Sequence, residues 1–231
     1  MINITLPDGS QKKYQEPCTG YEIAESISQG LAKDAIIIKV NGNLQDLVKK
    51  IDQDSNIEII TKKSPVALEI IRHDAAHIMA EAVQNIFPGT KVAIGPIIKD
   101  GFYYDFEYEK SFTPDDFLKI EKKMKEIIKE NKSFICESWP RKKALEYFKN
   151  IEESFKVEII DSLDNNEEIT IYKQGEWLDL CKGPHSPSTG LINYSFKLLK
   201  LAGAYWRGDS KNKMLQRIYA TAWFKESDLE K

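Results

Sequence analysis

From Ile71 to Ile86 an apolar side chain recurs with the period of an α-helix: Ile71, Ala75, Ile78, Ala82 and Ile86. A helix advances about 100° per residue, so these side chains form one stripe that must be buried against something. Ser64 and Pro65 suit the cap and first turn of this helix. Phe87, Pro88 and Gly89 stop it. Short β-branched runs lie on both sides of it. That places the chain in the α+β class and puts a boundary near residue 62.

Residues 1–62 read as a small unit. INITL alternates as a strand, PDGS is a hairpin turn, and QKKYQ returns. TGYEIAESISQGLA carries Ile23, Ala24, Ile27 and Leu31 at helical spacing. AIIIKV and NIEII are further strands. Two strands, a helix and more strands predict a ubiquitin-like β-grasp domain, read as a binding or scaffolding module.

Residues 63–231 read as a larger α+β domain with a mainly antiparallel sheet. KVAIGPIIKDGFYYDF is strand-like and broken by glycines. TPDDFLKIEKKMKEIIKENK is a second helix, with Thr113 as cap, Pro114 first, and a stripe of Phe117, Ile120, Met124 and Ile127. PRKKALEYF is a third. FKVEII, EITIYKQ, EWLDL and the stretch from Leu191 to Leu199 read as strands.

The net charge of −3 favours neither acidic nor basic partners overall. Three scattered cysteines fit a reducing compartment. The N-terminus has no secretory pattern, and no apolar run reaches the roughly 18 residues of a membrane span. A cytoplasmic chain without a membrane partner is expected.

All three histidines lie in two short motifs, HDAAH at residues 73–77 and DLCKGPH at residues 179–185. His73 and His77 are one helical turn apart, on a face roughly opposite the apolar stripe. Ala76 and Ala80 share that face and leave room above it. Position 74 is Asp, so the zinc-protease HExxH is absent. Cys181 and His185 are also four apart, but Gly183 and Pro184 forbid a regular helix between them. They belong on a loop. HxxxH with CxxxH suits a tetrahedral zinc site. It equally suits polar groups around a reacting ester, or simple packing.

With RHDAAHIMAEAVQNIFP, AIGPIIKDGFYYDF, ESFKVEII, DLCKGPH and AGAYWRGDSKNKMLQRIYATAW, the chain resembles the N-terminal region of bacterial threonyl-tRNA synthetases over nearly its whole length. The β-grasp unit resembles that family's TGS domain. The paired motifs also resemble alanyl-type editing domains, but AYWRGDSKNKMLQRIYATAW is more particular to the threonyl enzymes.

The resemblance implies an editing domain over residues 63–231 that hydrolyses Ser-tRNA(Thr), with the tRNA acceptor end and its mischarged seryl ester as partners. A site built for threonine rejects serine by only about 1–3 kcal/mol, the worth of a methyl, so a second site is needed. The resemblance further implies that the full enzyme continues beyond Lys231 and is a homodimer. ATP, Mg and zinc would belong to its aminoacylating part. This fragment would then deacylate tRNA without activating amino acids.

By the same resemblance the pocket consists of His73, His77, Lys156, Asp179, Cys181 and His185, with Tyr104, Ala80 and Gly183 on the substrate. His73 or His185 would orient water, Lys156 would meet the oxyanion or the terminal ribose, and Asp179 would hold the α-ammonium. Cys181 would line the pocket. Editing would need no metal. Two alternatives stand beside this reading: a non-catalytic module for the acceptor end, and a zinc-dependent alanyl-type hydrolase. Arg207, Lys211, Lys213 and Arg217, interleaved with Tyr205, Trp206 and Tyr219, are a candidate for the tRNA backbone.

Overall fold

A computed structural model describes residues 1–193 and 195–230. They fall into two compact units, Met1–Ile71 with Gly183–Pro187, and Arg72–Lys182 with Ser188–Lys231.

In the first unit β1 (Ile2–Thr5) and β2 (Gln11–Tyr14) form the hairpin expected from PDGS. β3 (Cys18–Thr19) leads into α1 (Gly20–Ile27), which opens on a capping box between Thr19 and Glu22. The single expected helix is in fact two. Ser28 ends α1 in extended conformation, and its hydroxyl accepts from Leu31 N to cap α2 (Gln29–Asp34). Ile27 therefore leaves the core and is 42% exposed. β4 (Ala35–Val40), β5 (Asn43–Asp46), β6 (Lys50–Ile51) and β7 (Ser55–Thr61) complete the unit. The main sheet runs β2-β1-β7-β4-β5, with β1 and β7 parallel and the other pairs antiparallel. Its core gathers Ile4, Ile23, Ile38, Leu47 and Ile57.

α3 (Pro65–Ile86) starts and stops where the sequence places it. From Ile70 to Val83 every residue except half-buried His73 is buried, so its burial is wider than one stripe. β8 (Lys91–Val92), β9 (Ile97–Ile98) and β10 (Gly101–Glu107) follow. α4 (Asp116–Glu130) begins later than expected. The Asp116 carboxylate accepts from the Thr113 N–H and hydroxyl, so Thr113 donates rather than caps. β11 (Phe134–Trp139) and α5 (Arg141–Asn150) lead to α6 (Ser154–Ser162). After β12 (Ile169–Gln174) and β13 (Trp177–Leu180) come a 3-10 turn at Thr189–Ile192, β14 (Phe196–Tyr205), β15 (Met214–Ala222) and α7 (Glu226–Leu229).

The second unit holds an antiparallel sheet in the order β14-β15-β10-β8, with β9 also on β10, and a separate antiparallel sheet β11-β12-β13. Two expectations fail here. FKVEII is helical, because Ile160 joins a core with Trp139, Ala144 and Phe148 while Phe155 joins another with Trp206 and Leu215. Packing on both sides overrides the strand preference of its β-branched residues. The strand expected from Leu191 begins only at Phe196. Before it, Thr189 locks the 3-10 turn by donating its N–H to Lys132 O (2.8 Å) and accepting from Lys132 N (2.9 Å). Tyr194 lies outside the described residues.

Candidate functional site

α3, β10, α6, β12 and β13 of the second unit line a cavity of about 190 Å³. α3 supplies His73 and His77. Their rings meet edge to face at 5.1 Å, as residues one turn apart on a helix must. β13 supplies Asp179, and Cys181 lies just past its end. Alternation along a strand puts Trp177, Asp179 and Cys181 on one side. Cys181 N–H donates to Thr170 O at 3.2 Å, so the chain beyond β13 still follows β12. The thiol comes within 3.3 Å of His73 Nε2. The ligand atoms of His73, His77 and Cys181 lie within 4.8 Å of one another, and two imidazoles with a thiolate form a set that fits zinc.

β10 and α6 supply the opposite wall. Lys156 is 2% exposed, although a lysine in an alternating run reads as solvated. In a helix Phe155, Lys156, Ile159 and Ile160 share one side, so the corrected conformation carries the ammonium inward. Lys156 Nζ donates to Ala93 O (2.8 Å) and the Tyr104 hydroxyl (3.1 Å), and lies 2.7 Å from Asp179 Oδ1. The Tyr104 hydroxyl donates to Asp179 Oδ2 at 2.6 Å, and Leu180 N–H donates to Asp179 Oδ1 at 2.8 Å. Burial, then the Asp179 charge, pushes the Tyr104 phenol well above its ordinary range, so it stays a donor.

Each ammonium proton of Lys156 thus has an acceptor inside the protein. This geometry fits a strut holding Tyr104 and Asp179 better than a free oxyanion donor. Gly95 makes the close approach of this wall possible, since a Cβ there would lie 2.2 Å from the Tyr104 ring.

Ala80 is fully buried in α3 and is not among the residues lining the cavity. Gly183 and His185 belong to the segment grouped with the first unit, where His185 N–H donates to Asp46 Oδ1 at 2.9 Å. Several of the basic residues proposed for tRNA are engaged within the fold. Arg217 makes a bidentate pair with Asp105, Lys213 pairs with Glu107, and Arg207 lies over Trp206.

Three residues at the back of the site escaped the sequence reading. Trp177 packs edge to face on His77 at 5.6 Å. Its indole N–H donates to Gln84 Oε1 at 2.7 Å, and Gln84 Nε2 donates to Glu153 Oε1 at 2.6 Å. A signal for two of them was present. Gln84 is seven residues, two turns, after His77, and Trp177 is two before Asp179.

Residues 2–61 match the TGS domain, and residues 169–219 match the second additional domain of threonyl and alanyl tRNA synthetases. Threonine–tRNA ligases of Parvibaculum lavamentivorans, Thiobacillus denitrificans and Rickettsia bellii are 52%, 55% and 54% identical, each across 100% of this chain. The chain belongs to the threonyl-tRNA synthetase family. It corresponds to the N-terminal region of those synthetases and spans about a third of their length. The second additional domain contributes Asp179, Leu180, Cys181 and Lys182 to the cavity wall. Among the described residues no helix is long and apolar enough to cross a membrane.

Proposed function

We propose that the cavity is a post-transfer editing site that hydrolyses Ser-tRNA(Thr). The observation that carries this reading is one small cavity joining two imidazoles to a buried Lys156–Tyr104–Asp179 triad, of which Asp179 lies in the stretch matched by the synthetase domain. An ester needs a group to orient water and donors to take the developing negative charge. An imidazole titrates near neutrality and serves the first need, so His73 is assigned to the water. Cys181, 3.3 Å from its Nε2, holds that ring in place. Asp179, braced by Lys156 and Tyr104, is a fixed negative centre for the α-ammonium of serine. A small, rigid cavity suits a task in which one methyl must be excluded.

The His73, His77 and Cys181 donors support a second reading, a zinc-dependent hydrolase. An ion held by these three would still need a fourth position kept open for water, whereas a neutral imidazole orients water without an ion. The metal-free reading is therefore preferred. The test is release of serine from Ser-tRNA(Thr) and of threonine from Thr-tRNA(Thr) by this chain, before and after exhaustive chelation. Rapid serine release that spares threonine and survives chelation is expected. Equal rates on both esters, or none above buffer, would reduce the chain to a module for the acceptor end. Loss on chelation with recovery on zinc would establish the second reading.

A further inference from the structure

Behind His77 a neighbouring cavity of about 240 Å³ is lined by Gln84, Glu153 and Trp177, and shares Asp179 with the first. The side chains of the partition form an ordered chain. Gln84 Nε2 donates to Thr90 O (2.8 Å) and Glu153 Oε1 (2.6 Å), which uses both of its protons. Its amide oxygen is thereby turned toward Trp177, whose indole N–H it accepts at 2.7 Å. Glu153 is itself held by Val92 N–H at 3.0 Å. The indole then stands at 79° to the His77 ring, centroids 5.6 Å apart. On its other flank His77 meets His73 at 85°.

We propose that Gln84 and Trp177 are positioning residues for His77: the clamped amide fixes the indole, and the indole fixes the plane of the imidazole facing the cavity. Neither ring rotation nor sliding of His77 is free while the indole is tethered. Gln84 reaches this position because it shares the histidine face of α3. Trp177 reaches it because it shares the Asp179 face of β13. The hairpin between Gln174 and Trp177 turns through Gly175 at φ +65°, which sets the indole at the end of the strand. A catalytic consequence rests on the editing reading, but the positioning does not.

The experiment uses the whole chain with Gln84→Met, which keeps both rings and removes only the amide, and with Trp177→Phe, which keeps a ring without the N–H. Only three histidines are present, so their ring resonances are resolved and compared by NMR at one fixed pH. Gln84→Met is expected to move the His77 ring-proton shifts, through the displaced indole. Cooperative unfolding and an otherwise preserved amide spectrum establish that the variant is folded. Trp177→Phe supplies the same comparison where Gln84→Met fails to fold. On Ser-tRNA(Thr), kcat is expected to fall about tenfold to a hundredfold with KM nearly unchanged, the signature of a misplaced group. His77 ring-proton shifts identical to wild type in a folded variant would overturn the proposal. Altered His77 signals in a chain whose wild type releases no serine would uphold the positioning and reject the editing reading.

Discussion

At the scale of single residues, Lys156 shows how burial decides a role. Its ammonium sits 2.7 Å from Asp179 with both side chains almost wholly buried. Removing one partner of such a pair leaves the other as an uncompensated charge, which costs about 3–5 kcal/mol. Lys156→Met is therefore expected to lower unfolding stability by that amount in urea titrations. Adding Asp179→Asn to it should recover most of the loss, because no buried charge then remains. If the single variant unfolds like wild type, water reaches Asp179 and the strut description is wrong. The same argument bears on chemistry. With Ala93 O, Tyr104 and Asp179 already taking its protons, Lys156 acts on a substrate only through the groups it braces.

At the scale of elements, the sheet edge near Gly95 makes a sharper demand. Phe102, Tyr104 and Phe106 alternate inward along β10, and the Tyr104 ring stacks on Phe106 at 5.2 Å. The segment between β8 and β9 crosses this ring so closely that only a residue without a side chain fits. Gly95→Ala is expected to displace the Tyr104 ring, cost about 1–3 kcal/mol as overpacking does, and abolish serine release with the cavity wall. Unchanged stability and activity would contradict the geometry. How far such features were legible differs by element. The HDAAH face of α3, β10, and the pair β12–β13 follow from periodicity, and His73, His77 and Cys181 from motif spacing, whereas Tyr104 and Asp179 come only from the family resemblance. α6 does not, since alternating β-branched residues favour a strand and only contact with two distant cores makes the segment helical. That one element decides whether Lys156 is a surface charge or the centre of a triad. Glu153 left no sequence signal at all, because nothing local marks a carboxylate for burial.

At the scale of the whole molecule, Glu153 makes stability depend on pH. Its carboxylate ties α3 through Gln84 to β8 through Val92, just ahead of α6. Burial raises it from an ordinary 4.5 to about 7, against the opposing pull of those two hydrogen bonds. Between these values the folded chain keeps a proton that the unfolded chain has lost. The stability contribution is therefore greatest below pH 4.5, falls as pH rises, and levels off above about 7. A shift of that size amounts to about 3 kcal/mol. Asp8, Asp54, Asp116, Glu137 and Glu167 are shifted the other way, held low mainly by hydrogen bonds, so their losses come on acidification below this window. Comparing wild type with Glu153→Gln cancels everything common to both chains, including the histidines. The wild type should lose about 3 kcal/mol relative to the variant between pH 4.5 and 7.5, measured by urea unfolding at each pH. A difference that stays flat across the window would mean that Glu153 is ionised throughout, with water or a cation reaching it in the second cavity.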